Sequence, residues 1–486
     1  MSWSWPDLEF GRKLFRLAPI IYLVISLPTA LFLSTLIPPF QAPDETNHFR
    51  RAVQLLRGQI IGQVRSPVEA GGALPKNVMR VAEAFDFMIG HSDVKVRPAV
   101  TIDTRKIPWD WRDREYTSFV NTVIYPPIGY IPAVFGIWVS RSIGFGILDS
   151  FYLGRYCSTI TSVLLASFAI YMARWGRSIF FVLLSLPMTL YLFASLTQDA
   201  LLISMTAVAV SFYSKAVGEG RDVYDYECYL SALLLGCVWA ARPPYVFLCP
   251  ILLTLRSLRS VSLSPSRRLL KKILPLAIAL GIGGAWILFG ALPAKVPFRL
   301  AEGVSPKHQL HYVMHHPSAL LIALYNTLKG SFVPHFEQFL GTLGWTDTYL
   351  AGFYYWLACC ALLVAGLASL VQGWTIDRPQ YSKFNLGILF AAVSLVTWAA
   401  VYGTLYLTWT KVGADSVDGI QGRYFLPSSV ALAVAVPALG SSLSRLGSLS
   451  PGTTARVQTF AWTFLLAIVI FLDFALPQMV LIRFYG

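Results

Sequence analysis

The chain has 486 residues, of which 55% are hydrophobic and 13% are charged, and its formal net charge is +14. A soluble domain carries roughly 25% charged residues, so this composition excludes an ordinary water-soluble protein. Many Lys and Arg residues lie in short segments between apolar runs, which is typical of cytoplasmic loops and argues against nucleic-acid binding. The six cysteines show neither a disulfide framework nor zinc-ligand spacing.

The apolar runs predict an all-α polytopic membrane protein with about eleven transmembrane helices. The first run, Leu17 to Ile37, follows a basic segment and has no cleavage site, so we expect a retained span with a cytoplasmic N-terminus. The further runs lie at 151–173, 178–196, 200–216, 228–241, 243–256, 273–292, 352–372, 385–408, 424–442 and 459–479. This topology places every arginine-rich segment on the cytoplasmic side of the membrane.

Two apolar stretches need a separate interpretation. Residues 124–143 contain three prolines, and a span there would place the later arginine-rich segments outside. We therefore expect a helix that lies on, or dips into, the outer face of the membrane. Residues 228–256 are short for two spans, so a broken or re-entrant hairpin around Arg242-Pro243-Pro244 is an alternative to two crossings.

The predicted spans divide the chain into five parts. They are an N-terminal segment with the first span, an external loop with amphipathic or interfacial helices, a transmembrane bundle, a second external loop and the C-terminal spans. The boundaries are 1–37, 38–150, 151–292, 293–351 and 352–486.

Acidic side chains directly after the first span are the first candidates for chemistry. If Pro43 opens a helix that ends before Gly58, Asp44 and His48 share one face at i, i+4 spacing. The pair is then suited to act as a general base with its orienting partner, or as metal ligands. A structural alternative stays open, because acids in a first turn also stabilise the helix dipole.

A second acid, Asp199, lies between two predicted spans on the outer side. It caps the next helix or forms a functional pair with the first acid. The outer loops also offer the cations Arg242, Lys411 and Arg423, and an outer arginine flanked by glycine and an aromatic residue suggests a specific anion, such as a lipid-linked phosphate.

Two further features are weaker. His308, His311 and His315 have the spacing of one helix face and could bind a metal, although histidines at this depth more often lie at the lipid headgroups. The predicted spans contain almost no acids apart from Asp473. Since ion-coupled transporters hold ionisable groups near the midplane, this scarcity argues against a transporter.

Six motifs together resemble a bacterial family of polytopic membrane proteins called domain of unknown function 2142. They are PDETNHFRRAVQL at 43–55, YPPIGYIP at 125–132, SLTQDAL at 195–201, RPPY at 242–245, LGWTDT at 343–348 and QGRYFLP at 421–427. The family is in turn similar in layout to the GT-C class of glycosyltransferases, with a large external first loop, surface helices and short turns that carry acids.

This resemblance implies transfer of a sugar from a polyprenyl-phosphate carrier to an acceptor outside a bacterial inner membrane. Asp44, with Glu45 beside it, and Asp199 would be the catalytic acids, and a divalent metal held by Asp44 and Asp199 is optional. The phosphate and sugar would contact substrate-binding residues in or near the motifs. These are His48, Tyr125, Arg242, Lys411, Gln421, Arg423 and Tyr424.

We therefore expect a glycosyltransferase whose partners are a polyprenyl-phosphate sugar, a glycan or lipid acceptor and membrane lipid. A transporter or flippase of a lipid-linked glycan is the alternative, and it would tolerate the loss of Asp44 as a base. A non-catalytic membrane scaffold is a third hypothesis, in which neither Asp44 nor Asp199 is needed for function.

Overall fold

The computed structural model describes residues 8–255, 264–297, 299–374, 383–443 and 449–486, and within them the chain is mainly helical. The helices are α1 Leu8–Leu36, α2 Glu45–Leu56, α3 Lys76–Glu83, α4 Pro98–Arg105, α5 Ile131–Ser142, α6 Ile147–Met172, α7 Arg177–Leu184, α8 Pro187–Phe193, α9 Asp199–Glu219, α10 Asp225–Ala241, α11 Pro265–Trp286, α12 Pro306–His315, α13 Ala319–Leu340, α14 Gly352–Trp374, α15 Lys383–Thr408, α16 Leu426–Ser429, α17 Leu432–Leu443 and α18 Pro451–Phe484. Short 3-10 turns include Pro127–Tyr130, Pro243–Leu253 and Gly422–Phe425.

Among the described residues, seven helices are long and apolar enough to cross a membrane, and there are eight if one bent pair counts as a span. The seven are Phe10–Leu36, Ile147–Met172, Asp199–Glu219, Pro265–Ala294, Gly352–Trp374, Asn385–Thr408 and Pro451–Phe484. The pair Gly422–Ser429 and Leu432–Ser442 is bent by 56°. The all-α polytopic class is therefore confirmed.

The remaining predicted spans correspond to shorter helices. Residues 178–196 form α7 and α8, which break at Ser185, and residues 228–256 form α10 and the 3-10 turn after it. The break falls at Arg242, where the backbone is extended and two prolines follow, as the sequence predicted. The number of eleven spans stays a prediction.

The polar segment after α1 folds onto the end of the helical bundle. It contains α2, α3 and α4, and also an antiparallel sheet of β1 Gln63–Ser66, β2 Glu69–Pro75 and β3 Arg114–Ser118 in the order β1-β2-β3. The sequence analysis anticipated helices here and missed the sheet. Phe40 anchors the segment, since its ring packs against Phe49, Phe85 and Phe151.

Pro126 and Pro127 precede α5, which is only twelve residues long and has Pro132 in its first turn. Ile131, Phe135 and Trp138 form an exposed apolar stripe at i, i+4, i+7 spacing, while Gly136 packs closely against the backbone of α6. An apolar stripe on a short surface helix supports the predicted interfacial position.

Helix α9 lies in the centre of the bundle. Every residue from Asp199 to Ser214 is buried, so this part of the helix is surrounded by protein on all sides, as a central helix is expected to be. Its N-terminus is therefore enclosed by other elements. The position of α9 explains why an acid at its first residue is removed from solvent.

Candidate functional site

Two acids that are 155 residues apart in the sequence meet at one guanidinium group. Arg423 Nη2 lies 3.2 Å from Asp44 Oδ2, and Arg423 Nε lies 3.7 Å from Asp199 Oδ2. A second guanidinium, that of Arg242, donates a 2.6 Å hydrogen bond to Asp199 Oδ1. The structure thus brings together four predicted site residues. Their two negative and two positive charges balance.

Asp44 is held by its backbone and by one amide. Its φ is +62°, in the left-handed region that asparagine and aspartate tolerate best among non-glycine residues. Asn121 donates a 3.0 Å hydrogen bond to Asp44 Oδ1, and Asn47 in turn bonds Asn121. The Asp44 side chain keeps 32% of its surface exposed, so a substrate can reach it while the amide fixes its orientation.

Asp44 is the N-cap of α2, which begins at Glu45 and not at Pro43. The backbone N–H of His48 donates a 3.0 Å hydrogen bond to the carbonyl of Asp44, but among the described residues the two side chains form no hydrogen bond with each other. His48 Nδ1 instead lies 2.7 Å from the hydroxyl of Tyr130, and the imidazole stacks on Tyr125. Burial lowers the pKa of His48 to about 4, against the opposing effect of Asp44, so this imidazole is neutral at pH 7.

Asp199 is the first residue of α9 and its side chain is 6% exposed. It makes no side-chain cap for the helix, so the capping alternative is not what the structure contains. Arg242 reaches it because α10 ends one residue earlier and the extended backbone turns the guanidinium inward. The break in the helix that the prolines predict therefore places Arg242 in the wall of the site.

Arg423 is positioned by a close contact between two elements. A Cβ on Gly422 would lie 2.2 Å from His335 O and from Phe339 N of α13, so only glycine allows this approach. The backbone N–H of Gly422 also donates to the amide oxygen of Gln338. Arg423 is the next residue after Gly422, and its side chain is 4% exposed.

Aromatic rings line the same site. The guanidinium of Arg242 lies 4.3 Å from the centre of the Tyr424 ring, and the hydroxyl of Tyr245 donates to the carbonyl of Tyr424. Gln421 borders a small cavity beside Arg423. Tyr424, Tyr125 and Gln421, predicted as substrate-binding residues, therefore lie at or beside the acid–arginine cluster.

Several buried polar atoms in this cluster have no hydrogen-bond partner among the described residues. They are Asp199 Oδ2, Arg242 Nε, Arg423 Nε, Arg423 Nη1, the amide atoms of Gln198 and the hydroxyls of Thr46 and Thr197. Buried polar groups are nearly always paired in folded proteins. Such a concentration at one place indicates that water or a polar ligand belongs there.

Glu45 lies next to Asp44 but faces another part of the protein. Its carboxylate receives two hydrogen bonds from Arg155, of 2.8 and 2.5 Å, and a third from the backbone N–H of Leu196. Both ion-pair side chains are 0% exposed. In this arrangement Glu45 joins α2 to α6 and to the turn before α9, which is a positioning role for Asp44 and Asp199.

Asp44 and Asp199 each direct one oxygen at Arg423 in this arrangement. The described parts of the chain contain no group of three or more His, Cys, Asp or Glu side chains able to hold a metal ion. A divalent metal held by these two acids stays a prediction.

Other predicted candidates lie apart from this cluster. Lys411 is exposed and packs near Gly303, with no described contact to the acid pair. His308, His311 and His315 lie on α12 as predicted, where His308 bonds Ser305 and His315 bonds the carbonyl of His311.

Asp347, in the LGWTDT motif, accepts a 2.7 Å hydrogen bond from Arg483 at the end of α18. The same guanidinium bonds the carbonyls of Met88, His91 and Val94. This motif therefore fastens the last helix to the first polar segment.

The sequence analysis missed Arg155, Asn121, Tyr130 and Gln198. A lone arginine within an apolar run was a usable signal for Arg155, since intramembrane charges are costly and usually paired. The other three are ordinary polar residues, and only the three-dimensional structure shows that Asn121 bonds Asp44, that Tyr130 bonds His48 and that the amide of Gln198 is buried without a hydrogen bond among the described residues.

The long apolar helices and the polar cluster at one end define a multi-pass membrane protein with a charged site at the end of its bundle. The chain belongs to the family of predicted membrane proteins designated DUF2142, whose model matches residues 27–432. The matched range contains all six sequence motifs. No curated protein and no solved structure matches the chain.

Proposed function

We propose that this protein is a membrane glycosyltransferase that moves a sugar from a polyprenyl-phosphate carrier to an acceptor hydroxyl on the outer side of a bacterial inner membrane. The observation that carries the proposal is the position of Arg423 between a partly exposed acid and a buried acid, with guanidinium N–H groups left unpaired. The proposal also draws on the resemblance of the layout to GT-C glycosyltransferases.

The two arginines suit a phosphate better than a neutral ligand. Guanidinium groups bind phosphate through paired N–H donors, and both Arg242 and Arg423 have unpaired nitrogen atoms. Arg242 is anchored by the 2.6 Å bond to Asp199, whereas the contact of Arg423 with Asp44 is longer, at 3.2 Å. A phosphate that approaches would therefore displace Asp44 from Arg423 first.

This exchange activates the acid. With the phosphate bound to Arg423, the Asp44 carboxylate is released from its ion pair but stays oriented by Asn121. It can then accept a proton from the acceptor hydroxyl as a general base. The Nδ1 atom of His48 is already hydrogen-bonded to the hydroxyl of Tyr130, so this nitrogen does not compete for that role.

The group transfer balances as follows. The acceptor oxygen forms a bond to the anomeric carbon as its proton passes to Asp44. The bond between the anomeric carbon and the phosphate oxygen breaks, and polyprenyl phosphate departs with one additional negative charge. Arg423 and Arg242 stabilise that charge, and the transition state has the oxocarbenium character known from glycoside hydrolysis.

The decisive experiment measures transfer of a labelled sugar from a polyprenyl-phosphate donor in nanodiscs with a crude membrane acceptor fraction. We expect Asp44→Asn to lower the rate at least about 100-fold, because a positioned general base contributes that much, while donor binding persists. Asp93→Asn, which removes an exposed acid elsewhere in the same polar segment, is the matched control. Transfer at the wild-type rate in Asp44→Asn would overturn the assignment of Asp44 as the base.

One observation favours the flippase alternative. Asp473 of α18 is 3% exposed, and neither carboxylate oxygen has a hydrogen bond of normal geometry among the described residues, although Ser26 lies close to it. Buried intramembrane acids mark ion pathways in transporters. Movement of a labelled lipid-linked glycan across vesicles that is lost in Asp473→Asn and kept in Asp44→Asn would favour transport over transfer.

A further inference from the structure

A second cavity lies at the opposite end of the bundle from the acid–arginine cluster. Its volume is about 780 Å³, and it is lined by the first residues of α1, the end of α6, the start of α7, the end of α14 and the start of α18. About 20 residues of α1 separate it from the turn that leads to Asp44, which corresponds to roughly 30 Å. It is therefore independent of the proposed catalytic site.

The cavity is strongly basic. Four of its lining residues are arginines, at positions 12, 16, 174 and 177, and no lining residue is acidic. A carboxylate beside the cavity is that of Glu219, whose oxygen is 3.9 Å from Arg174 Nε. The positive charges around this cavity thus exceed the negative ones.

The arginines differ in how they are held. Arg177 is 2% exposed and donates to the backbone carbonyls of Phe15, Tyr171 and Ala173, so its charge is built into the wall without a carboxylate partner in the described chain. Arg12 and Arg16 are exposed, on the same side of α1 at i, i+4 spacing. No ion pair involves either of them in the described residues.

The surroundings of the cavity are apolar. Phe10 and Leu17 on α1, Tyr171 on α6 and Phe460 on α18 are all large side chains with 45 to 58% of their surface exposed. Trp462 lies in the cavity wall. Basic side chains beside exposed apolar and aromatic residues, at the end of membrane-spanning helices, are the features of a membrane interface.

We propose that this cavity binds the headgroup of an anionic phospholipid, with Arg12 and Arg16 contacting the phosphate and the acyl chains lying against the apolar surface of α1 and α18. The built-in charge of Arg177 favours any anion, but the exposed apolar side chains favour one that carries acyl chains. Basic pockets between transmembrane helices bind anionic lipid headgroups in this way. The lipid would contact the ends of five helices that line the cavity.

The test is native mass spectrometry of the full-length protein with phosphatidylglycerol and, separately, with phosphatidylcholine. We expect phosphatidylglycerol to be retained preferentially, and Arg12→Gln/Arg16→Gln to weaken its retention at least about tenfold, since each arginine near an anionic headgroup contributes to binding. Both residues are exposed, so the fold tolerates the change. Arg80→Gln/Arg112→Gln, which removes two exposed arginines from the other end of the protein, is the matched control and should retain the lipid.

Free glycerol 3-phosphate distinguishes a lipid site from a site for soluble phosphate. It should not displace phosphatidylglycerol at equal concentration, because it lacks the acyl chains. Displacement, equal retention of the two lipids, or unchanged retention in Arg12→Gln/Arg16→Gln would each overturn the proposal. Sugar transfer plays no part in these measurements, so their failure leaves the proposed function untouched.

Discussion

Asp44 and Glu45 are adjacent in the sequence and belong to different parts of the protein. Glu45 lies in a fully buried ion pair with Arg155, in which every guanidinium nitrogen has a partner. Asp44 lies in a partly exposed ion pair with Arg423, in which two guanidinium nitrogens have no hydrogen bond. The first pair is complete by itself, whereas the second is open to a ligand.

The difference shows how one turn can serve both stability and binding. Asp44 has a left-handed backbone, and its side chain contacts Arg423 whereas that of the next residue, Glu45, contacts Arg155. Glu45 then fixes the turn to α6 and to Leu196, just before Asp199. The Glu45–Arg155 pair thus fixes the position of the Asp44–Arg423 pair. Substitutions should therefore separate the effect on stability from the effect on ligand binding.

Breaking the buried pair should have the largest effect. Arg155→Met leaves the Glu45 carboxylate buried without a counter-charge, which should reduce the free energy of unfolding by about 3 to 5 kcal/mol. Thermal unfolding in detergent measures this effect. Glu45→Gln/Arg155→Met removes both charges and should recover part of the lost stability. A single variant as stable as the wild type would show that the pair does not hold the turn.

The buried imidazole of His48, near the acid–arginine cluster, should make stability depend on pH. The pKa of His48 is lowered from 6.5 to about 4 in the folded protein. His48 in the unfolded chain therefore binds a proton below about pH 6.5, whereas His48 in the folded protein binds one only below about pH 4. Because the unfolded state binds more protons between these values, the free energy of unfolding falls as the pH falls through this range. At pH 4.5 the expected loss is on the order of 2 to 3 kcal/mol.

Thermal unfolding of the wild type and of His48→Gln, each at pH 7 and pH 4.5, isolates this contribution. Other acids titrate equally in both proteins, so only the difference between the two pH dependences reports on His48. Identical pH dependences would mean that the imidazole has the same pKa in the folded protein as in the unfolded chain.

The open pair should be most sensitive in ligand binding. Arg423→Gln should raise the Kd for a short-chain polyprenyl-phosphate hexose at least about tenfold, because charge-assisted hydrogen bonds to phosphate contribute about 1.5 to 3 kcal/mol. Arg423→Lys should restore the charge but not the paired donors, and should bind with intermediate affinity. Lys411→Gln is the control, since Lys411 lies apart from the cluster. Equal affinity in all four proteins would remove Arg423 from the binding site.

Asp44→Asn should have the smallest effect on stability, less than about 1 kcal/mol, since partly exposed ion pairs contribute little. The same thermal unfolding experiment measures this effect. The loss of stability in Asp44→Asn should be smaller than that in Arg155→Met, although Asp44→Asn is expected to lose sugar transfer. A loss of stability similar to that of Arg155→Met would erase the distinction between the two pairs.

The sequence by itself determined the membrane class, because long apolar runs can satisfy their backbone in lipid only as helices. It also determined the break at Arg242, since two prolines cannot continue a helix, and it identified Asp44, Asp199, Arg242 and Arg423 as charges placed next to predicted spans. These inferences depend on local composition, which the sequence contains in full.

Only the tertiary structure decided which of these charges meet. The partners of Asp44 are Asn121 and Arg423, which lie 77 and 379 residues away, and the partner of Glu45 lies 110 residues away. The local sequence pattern does not distinguish Asp44 from Glu45. It also includes Lys411 among the candidate cations, although Lys411 lies apart from the acid–arginine cluster. The packing of α2, α6, α9 and the Gly422–Phe425 turn distinguishes them, because contact between distant segments depends on how the helices pack and not on the spacing of residues along the chain.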